Sequence, residues 1–160
     1  MHIEISISDQ KLWLKDKEKI LAEYLVSTAK NGAGEIMNSE CTPRGEHEVV
    51  ELYGADQAAN TVFVGRIKTG EIFVPSLREK YPDRDWILTR IIRLAGCEPE
   101  KNQGEELDTY NRYIYIHGSP DNVEMGVPGS HGCVRMKNQD VIDLFNQVSI
   151  GTKVMIKESL

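Results

Sequence analysis

The stretch YIYIHGSPDNVEMGVPGSHGCVRM, residues 113–136, is the most informative part of this chain. It begins with alternating aromatic and β-branched residues, which are typical of a strand, and it ends in Ser130-His131-Gly132-Cys133. A second histidine, His117, lies sixteen residues before Cys133 and is followed by Gly118. Because the whole chain has only 4 histidines and 3 cysteines, this gathering indicates chemistry rather than chance.

These residue types predict a cysteine nucleophile with an imidazole base. A cysteine attacks as its thiolate, and a nearby imidazole can take the proton. We therefore expect Cys133 to be the nucleophile and His117, at the end of its strand, to be its general base, since scaffolds aim side chains at each other from strand ends and loops. Glycines at 126, 129 and 132 let backbone N–H groups approach a substrate, where they can stabilise an oxyanion.

Simpler interpretations of the same residues stand beside this one. Taken alone, Cys133 would more often be a small buried residue, and His117 a structural histidine at a strand end. A zinc site formed by His117, His131 and Cys133 is a further alternative, but no fourth ligand or CxxC pair accompanies them, so we expect no metal and no other cofactor. His131 is as compatible with a substrate contact as with a hydrogen bond that fixes its loop.

Outside this stretch the pattern predicts mostly strands and one clear helix. Ile3, Ile5 and Ile7 alternate with polar residues in a first strand. The helix is expected at 138–148, with Asn138 as its N-cap and with Val141, Leu144, Phe145 and Val148 on one face. Further strands are predicted at 11–16, 20–28, 46–54, 61–67, 70–74, 113–118 and 152–157. Residues 85–96 are compatible with a strand or a helix, and their β-branched content and the glycine at their end favour a strand.

The connecting segments carry further expectations. Lys68-Thr69-Gly70 is predicted to be a hairpin turn, and Thr42-Pro43-Arg44-Gly45 a structural turn that has a smaller chance of lining the cleft. The acidic segment 97–112 is long for a loop, and such loops are usually functional or mobile. Side chains expected to have no role in the chemistry are two surface histidines, two solvated arginines and two inert cysteines: His2, His47, Arg90, Arg93, Cys41 and Cys97. The alternatives are that Arg90 or Arg93 binds a substrate carboxylate and that Cys97, at the start of the acidic segment, lies near the site.

Bulk properties exclude several classes of function. The 160 residues are expected to form one domain, 1–160. A net charge of −6 argues against a nucleic-acid partner, which needs a basic surface. The first residues resemble neither a secretory signal nor a membrane span, and an odd number of cysteines fits a reducing compartment. We therefore expect a cytoplasmic protein, or a periplasmic one if a signal has been removed.

The motif and two flanking blocks resemble one family. HGSPDNVEMGVPGSHGCVRM, residues 117–136, resembles the signature of the L,D-transpeptidase catalytic domain, the YkuD-like family, which pairs His-Gly with a later Ser-His-Gly-Cys-x-Arg. Residues 28–49 are similar to the family's Thr-Pro-x-Gly segment, and residues 138–156 to its closing helix and strand. The resemblance implies a mainly β domain, sandwich-like or barrel-like, with one C-terminal helix.

The resemblance also implies an activity and roles for single residues. Such enzymes attack the bond after the L-centre of the third, diamino acid residue of a peptidoglycan stem tetrapeptide and expel the terminal D-alanine. By position, Cys133 is the nucleophile, His117 its base, and the Gly118 carbonyl orients the imidazole. Ser130 and His131 shape the pocket, the N–H groups of Gly132 and Cys133 are oxyanion donors, and Arg135 holds the loop or a substrate carboxylate. A carbapenem is the expected covalent inhibitor.

The acceptor of the acyl group is the open question. Relatives that crosslink the wall pass the acyl group to an amine, whereas a cytosolic enzyme would meet soluble muropeptides, for which water is the natural acceptor. The expectation is therefore an L,D-carboxypeptidase that trims tetrapeptides to tripeptides in murein recycling. The alternatives are an exported L,D-transpeptidase that forms 3→3 crosslinks and a non-catalytic peptidoglycan-binding module, which the intact Cys133 and His117 disfavour. The acidic segment 97–112 could repel the anionic stem of an acceptor peptide, and a solvated loop with no role is an equal alternative.

Overall fold

The computed structural model describes all residues from 1 to 160 as a β-rich fold with two α-helices. The helices are α1 (Pro75–Lys80) and α2 (Asn138–Phe145), and a short 3-10 helix spans Glu105–Leu107. The strands are β1 (His2–Ser6), β2 (Lys11–Asp16), β3 (Lys19–Leu25), β4 (Gly45–Tyr53), β5 (Thr61–Val64), β6 (Ile67–Ile72), β7 (Ile87–Gly96), β8 (Tyr115–Gly118), β9 (Val134–Met136) and β10 (Lys153–Lys157). The predicted mainly β fold with one clear C-terminal helix is therefore confirmed.

All ten strands belong to one sheet in the order β3-β2-β1-β10-β4-β7-β5-β6, with β8 and β9 branching from β7. The first and last strands lie side by side and run parallel, so both ends of the chain enter the same sheet. β7 is central: its second half pairs with β4, and Ile87 and Leu88 pair with β5. β8 runs antiparallel to β7 and β9 runs parallel to β8. This branch carries the motif residues.

One large apolar core covers one face of the sheet and the helix α2. It has 17 buried residues, among them Ile3 and Ile5, whose alternation in the sequence predicted β1. Ile116, Val134 and Met136 of β8 and β9 point into this core. Because side chains alternate between the two faces of a strand, His117 and Arg135, the intervening residues of β8 and β9, point to the opposite face, where the site lies.

The start of α2 differs from the prediction in its capping. Lys137 occupies the N-cap position and Asn138 is already the first helical residue. The Asn138 side chain is instead committed to the sheet: the Thr89 hydroxyl donates to its Oδ1 at 2.6 Å, and its Nδ2 donates to Asn60 at 2.9 Å. The helix ends at Phe145, three residues before the predicted end, and α1 was not predicted at all.

The predicted turn at Lys68-Thr69-Gly70 is wrong. These residues lie inside β6, and the hairpin between β5 and β6 turns at Gly65 and Arg66, which both have left-handed backbone angles (φ 57° and 67°). Two successive residues with positive φ form the tight turn that joins antiparallel strands. Gly70, also at positive φ, lies where the pairing of β5 with β6 shifts its register, which explains why its turn-like character was misleading.

Three side chains expected at the surface are buried. His47 is fully buried on β4, and Arg90 and Arg93 are 7% and 4% exposed on β7. Arg90 donates to the carbonyls of Gln57 and Thr89, and Arg93 donates to Glu51 and to the Tyr110 carbonyl. Buried charges and imidazoles are stable only when such partners exist, and partners that are distant in sequence leave no local pattern.

The acidic segment 97–112 is packed against the sheet by its polar side chains. Asn102 is fully buried and donates to the carbonyls of Arg44 and Glu46, each at 3.0 Å. The Thr109 hydroxyl donates to His47 Nε2 at 3.0 Å, while His47 Nδ1 donates to the Gly45 carbonyl at 3.0 Å. His47 thus fastens the segment to β4 as a neutral imidazole.

This arrangement predicts a loss of stability in mild acid. Burial lowers the pKa of His47 to about 4 from its ordinary 6.5, so the unfolded chain binds a proton below pH 6.5 that the folded chain resists. The contribution of His47 to the free energy of unfolding is therefore fully present above pH 6.5 and decreases as the pH falls towards 4. Between pH 7.5 and 5 we expect His47 to account for about 2 kcal/mol of lost unfolding free energy.

Urea unfolding at the two pH values measures this loss, and the His47→Gln variant serves as the comparison because glutamine does not titrate. The pH-dependent difference should shrink by that amount in the variant. An undiminished difference in His47→Gln would assign the acid sensitivity to other groups.

Candidate active site

Strand pairing brings the two predicted catalytic side chains to one face of the sheet. In the β8–β9 pair, Ile116 lies opposite Val134 and His117 opposite Arg135, which places Cys133, just before β9, beside Tyr115. Partners in a parallel pair share a face, and residues two apart along a strand share it too. His117 and Cys133 are therefore neighbours on this face, about 7 Å apart along the strand direction.

Cys133 sits in a largely apolar setting with two backbone contacts. The Tyr115 N–H donates to its Sγ at 3.3 Å, and the thiol donates to the Tyr113 carbonyl at 3.4 Å. The residue packs against the buried cluster of Phe63, Ile91 and Tyr115 while remaining partly exposed. Burial of the sulfur raises the pKa of the Cys133 thiol to about 12, so the resting group is the thiol and not the thiolate.

His117 is oriented by its neighbour and has one free nitrogen. Its Nδ1 donates to the Gly118 carbonyl at 2.6 Å, which fixes the proton on Nδ1 and leaves Nε2 as an acceptor. His117 is fully buried, and its Nε2 has no hydrogen-bond partner. Burial lowers the pKa of His117, so its resting form is the neutral imidazole, the form that can accept a proton.

Gly118 is required by close packing around this pair. A Cβ at this position would stand 2.4 Å from Asn138 Oδ1 and 2.6 Å from the Leu88 carbonyl oxygen. Both contacts are far below van der Waals distance, so a side chain would displace either α2 or β7. The glycine that follows His117 thus lets β8 approach the helix start and keeps the carbonyl that orients the imidazole in place.

The loop before Cys133 is held by its own hydrogen bonds. The Ser130 hydroxyl donates to the Cys133 carbonyl at 2.5 Å and accepts from the Gly132 N–H at 3.1 Å. Gly132 has φ 132°, in the region that favours glycine. The Gly132 N–H is therefore engaged inside the loop, whereas no hydrogen bond uses the Cys133 N–H. Of the two predicted oxyanion donors, Cys133 N–H is the one available in this structure.

Thr42 supports the same loop, a contact that its prediction as part of a structural turn did not include. It is fully buried, donates to the Gly132 carbonyl at 2.9 Å and accepts from the Ala29 N–H at 2.9 Å. Ala29 in turn forms a bridge with Ser130. The Thr-Pro-x-Gly segment therefore fixes the backbone that presents Cys133. Nothing in its local sequence indicates this contact with Gly132, which is 90 residues away.

Arg135 and His131 meet at Asp85, which the sequence analysis missed. Arg135 donates to Asp85 at 3.2 Å and to the Gly129 carbonyl at 3.0 Å. His131 Nδ1 lies 3.8 Å from the same carboxylate and its side chain is 58% exposed. Arg135 thus holds the loop, one of its two predicted roles. Asp85 stands in an irregular polar segment before β7, so no periodic signal marked it.

Two clefts flank the motif, and His131 lines both. The first, which we call the Asp85 cleft, has a volume of about 340 Å³ and is lined by Arg78, Asp83, Asp85, Trp86, His131 and Arg135 among others. The second, the Tyr113 cleft, has a volume of about 250 Å³ and is lined by Met37, Glu40, Asn111, Arg112, Tyr113 and His131 among others.

An arginine and tyrosine cluster borders the site beyond Tyr115. The Arg93 guanidinium lies 3.6 Å from the centre of the Tyr110 ring, and Arg66 donates to the Tyr115 hydroxyl at 3.0 Å. Tyr113, whose carbonyl accepts the thiol, has a left-handed backbone (φ 57°) that is uncommon for a residue with a side chain. The acidic segment thus reaches the site through its last residues.

No group of three or more His, Cys, Asp or Glu side chains is arranged to hold an ion. None of the helices is both long and apolar enough to cross a bilayer.

Comparison with known proteins assigns this chain to a family. The family model for the L,D-transpeptidase catalytic domain matches residues 1–156. The chain is 32% identical over 121 residues to the probable L,D-transpeptidase YbiS of Escherichia coli K12, a match that covers 70% of this chain and 39% of that protein. The chain thus spans well under two thirds of the length of this curated relative.

Solved structures show the same fold. An L,D-transpeptidase from Mycobacterium smegmatis superposes with a TM-score of 0.56 at 18% identity, covering 97% of this chain and 57% of the other. The L,D-transpeptidase LdtMt1, solved in complex with imipenem, gives 0.58 at 18% identity with the same coverage, 97% and 57%. At this identity the likeness establishes the architecture alone.

Proposed function

Because the chain belongs to the L,D-transpeptidase catalytic-domain family, we propose that it performs cysteine-dependent acyl transfer on peptidoglycan stem peptides with water as the acceptor. One observation carries the proposal. His117 Nε2 is buried without a partner on the face that Cys133 occupies, and its other nitrogen is fixed by the Gly118 carbonyl. An unsatisfied buried acceptor is costly in a native structure, and a proton from the Cys133 thiol would satisfy it.

The chemistry follows from the protonation states of this pair. The neutral imidazole of His117 takes the thiol proton as Cys133 Sγ attacks the carbonyl carbon at the L-centre of the third stem residue. The Cys133 N–H stabilises the resulting oxyanion. Collapse breaks the peptide bond, and His117 returns the proton to the departing D-alanine amine. Water, deprotonated by His117, then attacks the thioester, which releases the tripeptide and restores the thiol.

The charges around the Tyr113 cleft support water as the acceptor. Glu40 lines this cleft, and the Glu106 carbonyl accepts from the Met37 N–H on its wall, which brings the exposed Glu105 and Glu106 close to it. Arg112 in the same cleft already donates to backbone carbonyls, so these carboxylates are the charges left free to meet an anionic acceptor stem, which they repel, whereas water is not repelled. A cytoplasmic location, in which soluble muropeptides would reach the enzyme, stays a prediction.

The second candidate is an L,D-transpeptidase, favoured by the name of the curated relative YbiS. It shares every step up to the thioester and differs only in the attacking group, an amine of a second stem in place of water. The two functions are therefore separated by products and not by the nucleophile.

If water is the acceptor, the ratio of tripeptide to crosslinked dimer should be high. With a soluble disaccharide-tetrapeptide in excess, we expect the tripeptide to be the main product and crosslinked dimer to be minor, as measured by mass spectrometry. If the carboxylates repel the acceptor, the combined Glu40→Gln, Glu105→Gln and Glu106→Gln variant should raise the dimer fraction several-fold. Glu18→Gln, at the exposed tip between β2 and β3, is the matched control. Dimer as the main product of the unaltered protein would establish the transpeptidase instead.

A further inference from the structure

The Asp85 cleft contains one cation and one anion that the protein leaves without an ionic partner. Its other charged residues are paired: Arg135 with Asp85 at 3.2 Å, and Arg84 with Glu71 at 3.1 Å. Arg78 has only a neutral contact, to Asn122 at 2.9 Å. Neither Arg78 nor Asp83 takes part in any ion pair of the structure.

A second, independent observation is that one residue lining this cleft has an unused hydrogen-bond donor. Trp86 lines the cleft and is 5% exposed, and its Nε1–H has no acceptor. The indole N–H can only donate, so the group that would satisfy it must present an oxygen. Trp86 itself is held by the edge-on Phe73 ring at 5.0 Å and by Arg84, 4.8 Å from its own ring. The donor is therefore part of a rigid wall.

The cleft adjoins the position where the third stem residue must sit. His131 and Arg135, each two residues from Cys133, form part of its lining. Cys133 attacks the carbonyl at the L-centre of that residue, and the residue's side chain leaves the adjacent carbon. The end of a diamino acid side chain therefore lies only a few bonds from the sulfur, within reach of this cleft.

We propose that the Asp85 cleft selects a third residue whose side chain ends in an amino acid zwitterion, as meso-diaminopimelate does, over one that ends in an ammonium group alone, as L-lysine does. Arg78 and the Trp86 N–H bind the side-chain carboxylate, and Asp83 binds the ammonium. Guanidinium is the cation best suited to a carboxylate. The inference rests on the proposed function, because it takes the stem peptide as the substrate.

Binding to a variant that cannot turn over tests the selection separately from catalysis. The probes are two tetrapeptides, L-Ala-γ-D-Glu-X-D-Ala, in which X is meso-diaminopimelate or L-lysine, titrated calorimetrically into Cys133→Ala. We expect the meso-diaminopimelate peptide to bind about 10- to 100-fold more tightly, the effect of a charged hydrogen-bonded contact. Adding Arg78→Gln should abolish this preference, whereas adding Asp83→Asn should weaken both peptides alike. Lys80→Gln, on the same helix but outside the cleft, should change neither.

The outcomes separate the two proposals. Equal affinities, no binding of either peptide, or a preference that survives Arg78→Gln would overturn the selection. Turnover of both tetrapeptides by the unaltered protein, together with equal affinities, would leave the acyl-transfer function standing and remove only the selection. A clear preference in binding with no product from either peptide would support the selection and contradict the acyl-transfer function.

Discussion

Replacing Cys133 with alanine is expected to abolish turnover of a stem tetrapeptide, lowering the rate by roughly 10⁴-fold or more. The thioester cannot form without Sγ, and no other nucleophile lies beside His117 Nε2. The fold should survive, because the substitution removes one sulfur whose only hydrogen bonds are to the backbone of Tyr113 and Tyr115. Product release measured by mass spectrometry, with the melting temperature as a check on folding, tests both statements.

The other two cysteines supply the controls. Cys41→Ala and Cys97→Ala should keep most of the activity, since the Cys41 thiol donates only to the Asn31 and Ser39 carbonyls and Cys97 follows the end of β7, six residues beyond the one that pairs with His117. A carbapenem, the class of the imipenem bound to LdtMt1, should add its mass to the unaltered protein and to both control variants but not to Cys133→Ala. Normal turnover by Cys133→Ala would contradict the mechanism outright.

Local sequence was sufficient for the parts of this fold that repeat a local pattern. The alternation of Ile3 and Ile5 predicted β1, and the spacing of Val141 and Leu144 predicted α2. The strand at residues 113–118 was also predicted from its aromatic and β-branched residues, whereas β9, only three residues long, was not. In each case the residues that determine the structure are close together in the chain.

Contacts between distant residues were not predictable in this way. His47 is buried because Thr109 reaches it, and Arg93 is buried because Glu51 and Tyr110 receive it. Asp85 joins the site only because β7 starts beside the loop of His131. Each of these side chains is hydrophilic, so composition alone places it at the surface, and only the pairing of strands reveals the partner that permits burial.

The same distinction between local patterns and distant contacts applies to the candidate site. The motif predicted which residues carry the chemistry, but its supporting contacts come from elsewhere in the chain: Thr42 under Gly132, and Asn138 and Leu88 against Gly118. Such contacts fix a backbone to within a fraction of an ångström, which a catalytic pair requires. Neither the burial of Cys133 nor that of His117 could be known before these layers were assembled.

Replacing His117 is expected to lower the rate of acylation by about 10²- to 10⁴-fold, the contribution of a general base. His117→Gln is the better-matched variant, because a glutamine amide can still donate to the Gly118 carbonyl and hold the packing. His117→Ala removes both functions. His2→Ala, on β1 and in an ion pair only with Glu4, is the control and should retain full activity. Single-turnover measurements with a carbapenem isolate the acylation step.

The pH dependence distinguishes a base from a merely structural histidine. Burial lowers the pKa of His117 and raises that of Cys133 to about 12, so thiol and imidazole are both neutral at pH 7. The acylation rate of the unaltered protein should be constant from about pH 7 to 10 and should fall only below the ordinary histidine pKa of 6.5. The apparent pKa values in this pH–rate profile belong to the coupled pair and not to either residue alone. Without the imidazole the reaction depends on free thiolate, so the rate of His117→Gln should rise about tenfold per pH unit over the same range. Identical pH profiles for the two proteins would show that His117 does not accept the thiol proton.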